Sequence, residues 1–234
     1  MTNEQHHRPG AAPTVLVIGA SRGIGLEFVR QYAADGSRVI GTARSDDGLE
    51  SVRSAGGEPL LLDVLDAPAV AALPARLHDR AIDVAIVNAG VYGPRVGALT
   101  PPDDEEFDRV MRTNVRAPMQ LISALAPALA AHGRIAVVSS RMGSVSLMSS
   151  SAGWLYRASK AAVNAAVKAA SLELGPRGVV CVAFHPGWVR TDMGGAGADI
   201  DAATSVSGMR AVLAAASASH NGKFLNYGGE QLSW

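Results

Sequence analysis

The chain holds a single cysteine, Cys181, so it can form no intramolecular disulfide and no cysteine-rich metal site. A reducing, cytoplasmic setting fits that scarcity. Excess charge of either sign is also missing: 21 Lys+Arg face 21 Asp+Glu, for a formal net charge of +0. That balance argues against a nucleic-acid partner and against a polybasic membrane anchor. No apolar run approaches the ~18 residues of a membrane span. The opening "MTNEQHHRPGAAP" lacks the apolar core of a leader peptide and reads as a flexible arm over residues 1–12. His6 and His7 lie in that arm as solvated side chains, and no metal site is expected.

What is present is a repeated alternation. Short runs rich in Val, Ile and Leu begin near Thr14, Ser37, Glu58, Ile82, Arg134, Val179 and Gly222. They are apolar throughout rather than alternating, which suits strands of a parallel sheet covered on both faces. Between them lie segments of helical period, at Gly25–Ala34, Asp103–Ala131 and Tyr156–Leu174. Acidic residues in "PPDDEE" suit the start of the second of these. Cys181 falls in the apolar run "GVVCVAF" and is expected in the core. With 234 residues, no linker and no internal repeat, residues 13–234 read as one α/β domain with a doubly wound sheet of about seven strands.

The first strand runs into "GASRGIG", with Gly19, Gly23 and Gly25 ahead of a helix. Strand, glycine turn and helix is the context in which backbone N–H groups meet a pyrophosphate. The spacing differs from G-x-G-x-x-G and from a P-loop, and such turns also occur without a ligand. An NAD site carries an acidic residue about 20 positions further on. Here that region reads "GTARS", with Arg44 and no carboxylate before Asp46. Arg22 sits inside the glycine turn itself. Two guanidiniums there suit a ribose 2′-phosphate and so NADP(H) over NAD(H), unless both are simply solvated. Asp63 ends the third apolar run, either to accept from an adenine amino group or to cap the following turn. Asn88-Ala89-Gly90 closes the fourth run and leaves room for a ligand.

Tyr156 and Lys160 are spaced i, i+4 and share a helix face. An ammonium beside a phenol is expected to lower the tyrosine pKa and fit it for proton exchange with a carbonyl or alcohol. A lone Y-x3-K is a weak signal. In this chain it follows the glycine turn, Asn88-Ala89-Gly90, Asn114 and a serine-rich strand end, and it precedes "HPGWVRTDM". That ordered set resembles the short-chain dehydrogenase/reductase superfamily over residues 13–234, and implies a Rossmann-type fold. "YRASKAAVN", "HPGWVRTDMGG" and "GKFLNYGGEQLSW" are similar to the branch of the sniffer-type carbonyl reductases and C-factor-like proteins.

The resemblance implies roles. Tyr156 is the proton donor or acceptor. Lys160 holds the nicotinamide ribose, and Asn114 fixes a water joining Lys160 to a proton relay. Ser140 is the catalytic serine, the second of the pair at the end of "RIAVVSS". The cofactor set comprises Gly19, Ser21, Arg22, Gly23, Ile24, Gly25, Arg44, Asp63, Val64, Asn88, Ala89, Gly90, Tyr156, Lys160, Pro186, Gly187, Val189 and Thr191. The common serine-to-tyrosine spacing of thirteen lands on Gly143, which has no hydroxyl, while Ser140 stands sixteen residues before Tyr156. The intervening "MGSVSLMSSSAGWL" then reads as an insertion whose other serines form turns, with Ser144 still able to touch substrate. Tyr92, Arg95, Met148, Trp188 and Met193 are further pocket candidates, and "DMGGAGADIDAATS" reads as a mobile lid.

The implied activity is NADPH-dependent, reversible reduction of a small carbonyl compound to an alcohol. The alternative is a C-factor-like, dinucleotide-binding signalling protein with little turnover. The small residues of "SKAAVNAAVKAASLEL" suit close helix packing in a homodimer or homotetramer.

Overall fold

The computed structural model describes residues 12–77, 80–95 and 99–234. The expected arm, with His6 and His7, lies outside the described residues except for Ala12. Seven strands form one parallel sheet: β1 (Thr14–Ile18), β2 (Arg38–Ala43), β3 (Glu58–Leu61), β4 (Ile82–Val87), β5 (Leu129–Val138), β6 (Val180–His185) and β7 (Lys223–Asn226). Their order is β3-β2-β1-β4-β5-β6-β7. The chain winds outward from β1 to β3 and then returns to place β4 on the other side of β1. Such a reversal opens a crevice at the carboxyl ends of β1 and β4, the usual ligand position in this architecture.

Among the described residues eight α-helices cover the sheet: α1 (Gly23–Ala34), α2 (Asp46–Ser54), α3 (Ala67–Ala71), α4 (Leu73–Arg76), α5 (Asp104–Met111), α6 (Ala117–Leu125), α7 (Trp154–Leu174) and α8 (Ala202–Ala214). Alternate strand residues supply two cores, one on each face. Val15 and Val17 join Phe28 and Val29 of α1 and Met209 and Leu213 of α8. Leu16 and Ile18 join Leu121 and Leu125 of α6 and Val163 and Val167 of α7. This explains why β1 is apolar from Val15 to Ile18, all at 0% exposure. Cys181 is buried among the second set, and burial pushes its thiol up to about 11.

The long helix expected over Asp103–Ala131 is broken. It runs as α5, a π turn over Arg112–Arg116, α6 and a 3-10 turn over Ala126–Ala128. Pro127 has no N–H to continue the helical ladder, and β5 begins at Leu129, earlier than the Arg134 start read from the apolar run. The β4–β5 register shifts between Ile82 and Val84, and His132 adopts φ 62 in that stretch. Among the described residues no helix is long and apolar enough to cross a membrane.

Side-chain caps close the starts of several helices. Ser45, Asp66, Asp103 and Asp201 accept from the first turns of α2, α3, α5 and α8. By contrast, α1 starts from Arg22 with no side-chain cap, so its first N–H groups stay available at the crevice.

Phe184 in β6 is fully buried against the α1/α8 layer. Phe184→Ala is expected to cost about 3–5 kcal/mol, read as a lower urea midpoint with an unchanged m-value.

Candidate active site

Three turns converge on the carboxyl edge of the sheet. The first follows β1. Gly19 adopts φ +82, and a Cβ there would lie 2.8 Å from the Ala89 backbone. Its carbonyl accepts from Asn88 Nδ2 at 2.7 Å. A Cβ on Gly25 would fall 2.1 Å from that same carbonyl oxygen and 2.6 Å from Asn88 Nδ2. The glycines therefore admit a bond between the ends of β1 and β4, and they also bring the chain close to the uncapped start of α1. Gly23, at φ +54, opens that helix, and Ser21 and Ile24 lie half-buried on either side of it.

The second turn follows β5. The adjacent serines diverge, as neighbours on a strand must. Ser139 is buried and donates to Asn164 Oδ1 at 2.6 Å. Ser140 faces the other way and hydrogen-bonds the Tyr156 hydroxyl. Its Oγ also accepts from Met142 N at 3.1 Å, which fixes the oxygen and leaves its proton to donate. Gly143, at the common serine spacing, packs on α7: a Cβ there would come within 2.7 Å of the Lys160 backbone. A serine side chain at that position has no room unless α7 shifts.

On α7, Tyr156 is 7% exposed and Lys160 is 5% exposed. Lys160 Nζ donates to the Val138 carbonyl at 2.9 Å and stands 5.6 Å from the Tyr156 ring centroid. Burial pulls the Lys160 ammonium down to about 8. Burial also pushes Tyr156 up to about 12, with the Ser140 hydrogen bond opposing and Tyr92 adding to the rise. The lowered tyrosine pKa expected from Lys160 is thus corrected: loss of water outweighs a cation that is turned toward a backbone carbonyl. At neutral pH Tyr156 keeps its proton.

Asn114 lies in the π turn, a helix irregularity common at functional sites. Its Oδ1 accepts from Val91 N at 2.9 Å, and its Nδ2 donates to Val91 O at 2.8 Å and to Ser159 Oγ at 3.0 Å. Both amide protons are committed, so the side chain pins the loop after β4 to α7. A Cβ on Gly90 would lie 3.3 Å from Asn114 Oδ1 and 3.5 Å from Lys160 Nζ, which places Gly90 between them. Ser159, not singled out from the sequence, links Asn114 to the Tyr156 carbonyl, to which it donates at 2.8 Å.

A family model described as "short chain dehydrogenase" matches residues 13–199. The chain belongs to the short chain dehydrogenase family. It is 42% identical over 155 residues to the C-signal of Myxococcus xanthus, covering 65% of this chain and 93% of that one. A putative short-chain dehydrogenase/reductase from Burkholderia multivorans with bound NADP superposes with a TM-score of 0.88 at 32% identity, over 96% of this chain and 100% of that chain. The carbonyl reductase Sniffer of D. melanogaster gives 0.87 at 29% identity, with the same coverage.

The third turn of this family member follows β6. Pro186 is buried and accepts from Ser205 Oγ at 2.5 Å, Gly187 adopts φ +87, and Val189 bridges to Ile200. Thr191 closes over α1, its Cγ2 3.2 Å from where a Gly23 Cβ would stand. Most of the expected cofactor set thus borders one crevice. Arg22 and Arg44 are exposed at its rim, Arg22 paired with Asp192. Asp63 is exposed and accepts from Leu65 N at 2.9 Å, so it caps its turn, while the following Val64 packs on the core.

The pocket candidates divide. Tyr92 stacks on Tyr156 with ring centroids 4.7 Å apart, and Arg95 covers the Tyr92 ring at 4.8 Å. Met148, Trp188 and Met193 are exposed. Ser144 is a correction: it is fully buried and donates to the Ser233 carbonyl at 2.7 Å, tying the insertion to the C-terminal segment instead of meeting substrate. The expected lid is also shorter than read, because α8 starts at Ala202 and Arg95 Nη2 holds the Met193 carbonyl at 2.7 Å. A cavity of about 400 Å³ bordered by Arg141, His185, Trp188, Asn226 and Glu230 escaped sequence reasoning, because its walls come from four separate segments.

Gly143→Ala is expected to cost about 1–3 kcal/mol through overpacking against α7. Thermal melting checks the stability loss, and crystallography checks displacement of Lys160. A second outcome concerns pH. Burial and the Arg141 charge hold His185 down at about 4, against 6.5 in an unfolded chain. Between those values the unfolded state binds more protons, so stability falls as pH drops from 6.5 to 4. The contribution is at most roughly 3 kcal/mol. Urea melts across this range should show the slope in wild type and a flatter line in His185→Asn.

Proposed function

We propose that the protein reduces a carbonyl group of a small molecule to an alcohol, with NADPH as the reductant. The observation that carries this reading is the buried Tyr156 hydroxyl, bonded to Ser140 and flanked by Lys160, beside the glycine turn at the β1/β4 crevice. Likeness to the Sniffer carbonyl reductase and to an NADP-bound relative supports it.

The residues present fit a dinucleotide phosphate. Gly19 and Gly23 take positive φ, α1 keeps its first N–H groups uncapped, and two arginines border the crevice with no acidic residue closing β2. When bound, the reduced nicotinamide supplies the hydride that the carbonyl carbon accepts. Tyr156, protonated at neutral pH, gives its proton to the carbonyl oxygen. Ser140 donates to that oxygen as negative charge grows on it, from a position already set by Met142 N. Lys160, charged below about pH 8, holds the nicotinamide ribose. Asn114 and Ser159 keep α7 and the loop after β4 in register.

A second reading rests on the C-signal likeness: a dinucleotide-binding signalling protein with little turnover. We also infer a cytoplasmic homodimer or homotetramer that uses the faces carrying exposed Phe107, Met119 and Leu172, with light scattering as the check.

NADPH oxidation with a panel of quinones, diketones and aldehydes decides between the two readings. Turnover is expected, faster with NADPH than with NADH, and Tyr156→Phe should lower kcat by at least about a hundredfold. Tight NADPH binding without turnover, unchanged by Tyr156→Phe, would establish the signalling reading instead.

A further inference from the structure

The segment after β6 is held at two consecutive residues by two arginines, one from the glycine turn after β1 and one from the loop after β4. Arg22 Nη1 pairs with Asp192 Oδ2 at 2.8 Å, and Arg95 Nη2 donates to the Met193 carbonyl at 2.7 Å. The first contact is the unusual one. Arg22 is the guanidinium of the glycine turn, and its backbone is the extended N-cap of α1. Thr191, next to Asp192, lies against Gly23 at the mouth of that helix. Asp192 therefore places a carboxylate where an anionic phosphate would approach Arg22.

We propose that Asp192 is a specificity-determining residue that competes with the cofactor's 2′-phosphate for Arg22 and so limits the preference for NADPH over NADH. This rests on the reading of Arg22 as a phosphate ligand. Asp192 acts through Arg22 and is a positioning residue, not a catalytic one. Both side chains are 75% exposed, so water screens their attraction and the pair is easily exchanged. A phosphate dianion offers more charge and more acceptor oxygens than a carboxylate, so it displaces Asp192. It does so against the repulsion of the carboxylate it leaves nearby. At that position NADH carries a neutral 2′-hydroxyl, which neither competes for Arg22 nor adds to that repulsion, and the pyrophosphate is common to both cofactors. Because Met193 is held separately by Arg95 over Tyr92, release of Asp192 leaves the segment tied at its second point.

The test is binding of NADPH and NADH to the full chain, followed by nicotinamide fluorescence, for wild type, Asp192→Asn, Arg22→Ala and the double variant. Asp192→Asn should tighten NADPH about two- to fivefold, the scale of one exposed ion pair, and leave NADH unchanged. Arg22→Ala should weaken NADPH, and adding Asp192→Asn to it should then tighten NADPH by less than Asp192→Asn does alone, a coupling between the two positions that a merely structural role for Asp192 would not produce. Unchanged or weaker NADPH binding in Asp192→Asn overturns the proposal. Equal tightening for both cofactors overturns it too, since Asp192 would then act on access to the crevice and not on the phosphate. If Arg22→Ala leaves the NADPH-to-NADH ratio as in wild type, the Arg22 reading itself fails, and the proposal with it.

Discussion

The 2.7 Å bond from Asn88 Nδ2 to the Gly19 carbonyl holds the site together, and it exists because Gly25 lacks a side chain. A single methyl group at Gly25 would occupy the space of both partners. The bond joins the ends of β1 and β4 where the sheet reverses direction, and it leaves the N-terminus of α1 pointing into the crevice. Every other functional side chain is placed relative to that junction. Gly90, two residues beyond Asn88, lies between Asn114 and Lys160, and Thr191 closes against Gly23 on the far side.

A second constraint is burial of charge. Lys160 sits almost out of water, and the bond it makes is to a backbone carbonyl. Such a cation is costly to keep charged, which is why its pKa falls toward 8. The same dry surroundings lift Tyr156 and keep it an acid. Water exclusion thus keeps Tyr156 protonated, the state from which carbonyl reduction takes its proton. Tyr92 strengthens the effect by stacking on the Tyr156 ring, and Arg95 in turn lies over the Tyr92 ring.

The strands were most legible where they are apolar at nearly every position, as in β1, β4 and β6, a pattern that suits a doubly covered parallel sheet, while the edge strands β3 and β7 mix in polar residues. Strand alternation required that only one of Ser139 and Ser140 face the site, and the family resemblance selected Ser140; the two hydroxyls meet different partners, Tyr156 and Asn164. The break in the long helix was not legible. A π turn is set by a tertiary contact, here the Asn114 carboxamide gripping Val91, and helical periodicity alone cannot reveal it. The direction of the Tyr156 shift was missed for a similar reason. Spacing on a helix brings a cation near a phenol, but only the packed surroundings decide how much water each retains.

By itself the sequence determined the layered architecture, the glycine turn, the absence of a disulfide and the Tyr156/Lys160 face, because all of these depend on local pattern or composition. The tertiary structure decided which groups meet across distant segments. It set Ser144 against the C-terminal segment, Asp192 against Arg22, and Tyr92 over Tyr156. Those contacts join residues from separate loops, and their energies depend on exposure, which no stretch of sequence encodes alone.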